Sequence, residues 1–205
     1  SCWMRRFMPW KPENWYADQN RSGGVMLDFG SHDVDWLRWI GGDVKTVFGN
    51  TLQVGDGARA DNHGAAIFLF RNGGMATVEN SWSSCISEST LGIIGTEGAI
   101  VMGSDGTVRK RIGAEGQEQI VDIEVATAVD PKGNIGAEDG EGTIRNVDQR
   151  NETIQQHFFR CVEEGIDPLT LAEDGRKTLQ TVLALRESAA KGSAVVLPVN
   201  GGTMR

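Results

Sequence analysis

SGGVMLDFGSHDVDWLRWIGG, residues Ser22–Gly42, predicts an amphipathic helix with one polar and one apolar face. At 3.6 residues per turn, one narrow line collects Asp28, His32, Asp35 and Trp39. The core-facing side is predicted to contain Val25, Phe29, Trp36 and Ile40, broadened by Met26 and Leu37. Ser22 is predicted as the N-cap, and Gly41-Gly42 as the end of the helix.

Two features of this helix point to chemistry. A carboxylate four residues before a histidine can orient the imidazole and raise its proton affinity, so Asp28 and His32 are candidates for an acid–base pair. The alternative is an ordinary i,i+4 pair on a solvated helix face, which is the commoner use of such spacing. Gly23 and Gly24 are poor helix formers and predict a close backbone approach or an exposed helix N-terminus.

The whole string resembles the start of the C-terminal domain in the glucose-fructose oxidoreductase / inositol dehydrogenase / MocA family of NAD(P)-dependent sugar and polyol dehydrogenases. The matching positions are Gly23, Gly24, Asp28, Gly30, His32, Asp35, Trp39 and Gly42. The resemblance implies that Asp28 and His32 are the catalytic residues and that Gly23 and Gly24 lie against the cofactor, NAD or NADP. It also implies a sugar or polyol substrate.

Composition narrows the class of protein. Twenty-eight acidic against 20 basic residues give a net charge of −8, which argues against nucleic acid and anionic membranes as partners. No apolar run reaches the roughly 18–20 residues of a membrane span. The cysteines Cys2, Cys85 and Cys161 are scattered and fit a reducing cytoplasm better than a disulfide framework. Residues 1–205 are predicted to form a single domain.

After residue 42 the pattern alternates with period two and predicts an α+β fold. Its mainly antiparallel or mixed open β-sheet would have helices packed on one face, as in the glyceraldehyde-3-phosphate-dehydrogenase-like C-terminal domains of dehydrogenases. The predicted strands are Val44–Val54 (broken at Gly49-Asn50), Gly64–Phe70, Met75–Trp82, Glu88–Ile94, Ala99–Met102, Thr107–Ile112 and Gln119–Val125. Asp130–Arg150 predicts an exposed loop, Glu152–Glu164 a helix, and a capping box from Thr170 to Glu173 a last helix ending at Gly192.

Residues around the helix are candidates for substrate contacts. Met8–Arg21 reads as a long loop containing Trp15, Tyr16 and Asp18, and aromatic rings in such a loop can stack on the C–H faces of a sugar. The alternative is that these rings cover an edge of the core. His63 could approach a substrate from its own loop or be a solvated turn residue. No third ligand accompanies Asp28 and His32, so no metal site is predicted.

No G-x-G-x-x-G follows a predicted strand, so the phosphate-binding loop of a dinucleotide fold is not in this sequence. The expectation is a substrate-binding and oligomerising C-terminal domain whose Rossmann domain is absent from this chain, which begins with Ser rather than Met. The open sheet face would pair with another copy. Two alternatives stay open: a non-catalytic carbohydrate-binding or oligomerising module, and, within the family, an NAD-dependent glycosidase.

Overall fold

The computed structural model describes residues 1–9, 13–121, 143–145 and 151–198, with the backbone alone for 143–145 and 151–153. The chain forms two compact units, one of residues 1–121 with 173–205 and the other of residues 122–172.

A nine-stranded mixed sheet forms the frame of the first unit. Its strands are β1 (Cys2–Pro9), β2 (Val44–Leu52), β3 (His63–Phe70), β4 (Met75–Ser81), β5 (Ser83–Ile94), β6 (Gly98–Met102), β7 (Val108–Ile112), β8 (Gln119–Val121) and β11 (Val195–Val196). The spatial order is β11-β2-β3-β4-β1-β5-β6-β7-β8. Only β1 with β4 is parallel, and every other neighbouring pair is antiparallel. The predicted α+β class with a mixed open sheet is confirmed.

Helices cover one face of this sheet. They are α1 (Gln19–Ser22), α2 (Val25–Asp28), α3 (Gly30–Gly41) and α5 (Ala172–Lys191), with a short 3-10 turn at Trp15–Ala17. The core between helices and sheet includes Val25, Met26, Val34, Leu37, Val182 and Leu185 from the helices and Val47, Phe68 and Val78 from the strands. In β3 the buried residues alternate with exposed ones, as expected of a sheet with one covered face.

Several predicted boundaries are wrong in instructive ways. The single helix predicted from Ser22 is interrupted twice: Gly23 and Gly24, with φ of 76° and 89°, separate α1 from α2, and Phe29 separates α2 from α3. Gly49 does not break β2, since it packs a bare Cα against Ala65 and Ala66 inside a continuous strand. The last helix begins at Ala172, two residues after the predicted cap.

In the described part of the second unit there are a two-stranded ribbon and one helix. β9 (Thr143–Arg145) pairs with β10 (Asn151–Thr153), and α4 (Ile154–Glu164) follows and ends before Gly165, whose φ is 63°. β9 lies in the stretch predicted as a loop, and the remainder of that stretch is outside the described residues. None of the helices in the described residues has both the length and the apolar character needed to cross a bilayer.

Candidate functional site

The approach to α3 is built by a tight double-glycine turn. Asp18 caps α1, its Oδ1 accepting the Asn20 N–H at 2.9 Å, and Gly23 ends that helix. Ser22 is not the predicted N-cap of the next helix: its Oγ accepts the Gly24 N–H at 3.0 Å from the last position of α1. The Val25 N–H then donates to the Asp61 carbonyl at 2.7 Å, which fixes the start of α2 on the loop before β3.

Packing explains why both residues of this turn are glycines. A Cβ on Gly23 would lie 2.2 Å from Leu27 Cδ2, and one on Gly24 would lie 3.0 Å from the Asp61 Cβ. Their positive φ angles also favour glycine. The close backbone approach expected at this point is therefore an approach of the chain to itself. Contact of Gly23 and Gly24 with a cofactor stays a prediction.

Asp28 and His32 flank the junction between α2 and α3. Asp28 is the last residue of α2, Phe29 separates the two helices, and His32 is in the first turn of α3. His32 is exposed and Asp28 is half-buried. Burial raises the pKa of the Asp28 carboxyl above its usual value, and the charge of His32 opposes that rise. The two side chains interact through charge, without a hydrogen bond between them among the described residues.

The other two residues of the predicted stripe, the line formed by Asp28, His32, Asp35 and Trp39, differ in their roles. Asp35 Oδ1 accepts a 2.6 Å hydrogen bond from Thr178 Oγ1 of α5, and Arg38 Nη1 donates to the same Oγ1 at 2.7 Å. Trp39 is 77% exposed and contributes little to the core. Two of the four stripe residues therefore meet at a candidate site, and Asp35 joins α3 to α5.

A buried carboxylate beside His32 escaped the sequence prediction. Asp33 is 1% exposed, and its two oxygens accept hydrogen bonds of 2.6 Å from Arg6 Nη1 of β1 and Asn80 Nδ2 of β4. Burial raises the pKa of the Asp33 carboxyl, while Arg6 and Asn80 oppose the rise. The available signal was strand alternation, which places Arg6 and Asn80 on the covered face of their strands.

The predicted substrate residues of the 8–21 stretch have mixed environments. Trp15 is 48% exposed, and Tyr16 packs against buried Trp82 with ring centroids 5.1 Å apart. The Tyr16 hydroxyl accepts a hydrogen bond from Asn14 Nδ2 at 2.6 Å. Asp18 serves as the cap of α1. Trp15 thus keeps a free apolar surface, and Tyr16 fits the alternative of covering a core edge.

His63 lies on the other side of the sheet from His32. It begins β3 at a position that alternates with the buried Gly64, and its Nε2 is 3.6 Å from Glu79 Oε1. Glu79 in turn is 3.1 Å from Arg5 Nε. The structure therefore does not bring His63 together with Asp28 and His32. In the described part of the chain, no three His, Cys, Asp or Glu side chains are grouped so that they could hold a metal ion.

The structure is an α+β domain in which a carboxylate–histidine pair follows a double-glycine turn. Residues 1–101 match the family model described as the GFO/IDH/MocA C-terminal domain. The match covers 101 of the 205 residues and places them in that domain family.

Two curated relatives match most of the chain. The chain is 26% identical over 176 residues to a D-apiose dehydrogenase of Rhizobium rhizogenes, covering 83% of this chain and 48% of that protein. It is 25% identical over 197 residues to a 1,5-anhydro-D-fructose reductase of Ensifer adhaerens, covering 92% and 52%. The chain spans about half the length of the curated relatives it matches.

Structural similarity extends over nearly the whole chain. An oxidoreductase from Agrobacterium radiobacter, solved with NAD+, L-tartaric acid and magnesium, has a TM-score of 0.74 at 24% identity, covering 95% of this chain and 56% of that one. Levoglucosan dehydrogenase with NADH and levoglucosan has a TM-score of 0.73 at 18% identity, covering 96% and 58%. At these identities the similarity establishes the fold.

Proposed function

We propose that the chain is the substrate-binding part of an NAD(P)-dependent oxidoreductase acting on a CH–OH group of a sugar or polyol. The observation that carries the proposal is the placement of Asp28 and His32 on either side of the α2–α3 junction, with the imidazole exposed. The relatives support the substrate class, since they include a D-apiose dehydrogenase and a 1,5-anhydro-D-fructose reductase.

In this proposal the chain supplies proton transfer and orientation. His32 accepts the hydroxyl proton of the substrate, and the Asp28 carboxylate stabilises the imidazolium that forms. A bound nicotinamide cofactor would supply the acceptor for the hydride that leaves the substrate carbon. The residues fit this division, because an exposed imidazole stands beside a half-buried carboxylate. A preceding domain would hold most of the cofactor.

Removal of the imidazole tests the assignment of the base. In the parent enzyme, His32→Ala should lower kcat by roughly 10²–10⁴, the usual contribution of a positioned acid–base group. KM should change less, because the lost interaction acts mainly in the transition state. Steady-state kinetics with D-apiose and a panel of aldoses and polyols, at saturating NAD+ or NADP+, measures both constants.

Asp35→Asn is the matched control, because Asp35 lies on the same helix and anchors it to α5. It should reduce stability more than it reduces turnover per folded molecule. Undiminished turnover of His32→Ala on a sugar that the wild-type enzyme oxidises would show that the stripe is structural. A wild-type parent that binds sugars without oxidising any would instead support the non-catalytic module.

We also propose that the open face of the sheet pairs with a second copy of the chain. Phe48, Ile67, Leu69 and Met75 project from β2, β3 and β4 on the side without helices and are 43–49% exposed. Phe48 and Ile67 also line a surface depression, together with residues that include Trp3, Ala65 and Thr77. So large an apolar surface is characteristic of an interface.

Light scattering combined with size exclusion tests this pairing on the 205-residue chain. The wild type should have the mass of a dimer or a larger even assembly, and Ile67→Lys should shift it toward the monomer because a charge in a closed apolar interface is costly. Leu179→Lys serves as the control, because Leu179 is 48% exposed on α5, which packs on the opposite, helix-covered face of the sheet. A monomeric wild type at high protein concentration would contradict the proposal.

A further inference from the structure

The buried Arg6–Asp33–Asn80 network has a geometry that reaches the candidate site from behind. Asp33 follows His32 in the sequence and points into the protein, where Arg6 of β1 and Asn80 of β4 bind its two oxygens at 2.6 Å each. β1 and β4 are neighbouring parallel strands near the middle of the sheet. One carboxylate thus fastens the first turn of α3 to two strands of the rigid frame.

Arg6 also contacts the junction that separates Asp28 from His32. Its guanidinium carbon lies 4.0 Å from the centroid of the Phe29 ring, and Phe29 is the single residue between α2 and α3. A guanidinium over an aromatic face makes a favourable cation–π contact. The Arg6 side chain therefore contacts both Phe29, which is next to Asp28, and Asp33, which is next to His32.

The docking is close enough to require a glycine and to leave one polar atom without a partner. A Cβ on Gly30 would lie 2.9 Å from Asn80 Oδ1 and 3.2 Å from Met26 Cε. Asn80 Oδ1 is buried and accepts no hydrogen bond among the described residues. The hydrogen bond from Asn80 Nδ2 to Asp33 fixes the orientation of the Asn80 side chain. In that orientation the network holds α3 in place and leaves the buried Asn80 Oδ1 without a hydrogen bond.

We propose that Arg6, Asp33 and Asn80 are positioning residues that set the geometry of Asp28 relative to His32. The other anchor of α3 is independent, since Asp35 and Arg38 fasten the helix to α5 through Thr178. Loss of the network should therefore displace the first turn of α3 while the rest of the helix stays in place. The predicted effect on catalysis rests on the proposed function. The predicted displacement of the first turn of α3 rests on the geometry alone.

The local consequence is tested on the 205-residue chain by amide hydrogen exchange. In an α-helix the amides of residues 34–37 donate to the carbonyls of residues 30–33. Asp33→Asn and Arg6→Met should accelerate exchange at residues 34–37 more than at the amides of β3 and β4, which report opening of the whole unit. A uniform acceleration across helix and strands, or none at all, would overturn the inference.

The catalytic consequence is tested on the parent enzyme by the division between kcat and KM. Arg6→Met should lower kcat about 10–100-fold, the cost of misplacing a catalytic group by about 1 Å. Arg6→Lys, which keeps the charge and loses the planar fork, should restore part of that loss. Asp35→Ala is the control and should leave kcat per folded molecule unchanged.

Failure of the inference is distinguishable from failure of the proposed function. An active wild-type enzyme whose kcat is unaffected by Arg6→Met and Asp33→Asn overturns the positioning role alone. An inactive wild-type enzyme removes the proposed function, and hydrogen exchange then decides the geometric part by itself. If Arg6→Met does not fold, Arg6→Lys and Asn80→Ser supply the same comparison.

Discussion

At Asp28, the raised pKa predicts how a substitution changes the pH dependence of activity. Burial raises the pKa of the Asp28 carboxyl and the charge of His32 opposes that rise, so the two groups are coupled through charge. Asp28→Asn removes this negative charge at nearly constant shape. We expect the ascending limb of the pH profile of kcat/KM to move to lower pH with the fold retained. An unmoved limb in an active Asp28→Asn enzyme would contradict the charge coupling.

Asp33 predicts a pH-dependent cost for the loss of Arg6. Folding raises the pKa of the Asp33 carboxyl above its usual value of 3.8. At a pH between the unfolded-state pKa and the folded-state pKa, the native state therefore binds more protons than the unfolded state. Stability from this group is therefore present at acid pH and lost as the pH rises through the folded pKa. Arg6→Met leaves the buried carboxylate unpaired and should cost roughly 3–5 kcal/mol at neutral pH.

The cost of Arg6→Met should shrink at acid pH, where the Asp33 carboxyl is protonated and needs no cation. Urea denaturation of the wild type and of Arg6→Met at neutral and at acid pH measures the difference. Arg5→Met is the matched control, since Arg5 lies on the opposite face of β1 and is 3.1 Å from the partly exposed Glu79. An equal cost of Arg6→Met at both pH values would show that packing rather than charge is lost.

Of the two acids near His32, sequence reasoning identified the half-buried Asp28 and missed the buried Asp33. Asp28 lies one helical turn from His32, which is the relation that periodicity detects. Asp33 is adjacent to His32 and projects about 100° away, where its environment depends on β1 and β4. Such long-range partners are not encoded in local spacing. The only indication in the sequence was a polar residue, Arg6 or Asn80, at a position of its strand that faces the helices.

At the scale of the helix, packing explains why glycine is required at particular positions of the motif. Gly30→Ala places a Cβ 2.9 Å from Asn80 Oδ1, against a side chain that the network holds in place. We expect the substitution to lower the free energy of unfolding by roughly 1–3 kcal/mol, the usual cost of overpacking. Chemical denaturation of the 205-residue chain measures the loss.

Gly175→Ala is the matched control for Gly30→Ala. Gly175 is also helical, its Cβ would meet nothing within 4 Å, and it lies in the exposed part of α5. This substitution should stabilise the fold by about 0.5–1 kcal/mol, since alanine loses less backbone freedom in a helix. Equal effects of the two substitutions would show that helix propensity, and not the approach to Asn80, governs Gly30.

At the scale of the molecule, the sequence predicted the meander better than the insertion of β1. Short strands separated by glycine turns are local signals, and the hairpin at Arg71–Gly74 forms with Gly73 at a φ of 90°. The parallel pairing of β1 with β4 has no local signal, because it joins residues far apart in the chain. The interrupted helix was missed since helical periodicity continues across the break at Phe29.

The central place of β1 has a consequence for the order of assembly. Its two neighbours are β4 and β5, so Cys2 pairs with Ala76 on one side and with Ile93 on the other. During synthesis the backbone groups on both edges of β1 therefore stay unpaired until β4 and β5 have been made. Closing so long a segment is entropically costly and slows folding. The Arg6 network joins β1 to β4 through Asp33, so the geometry of the site depends on that closure.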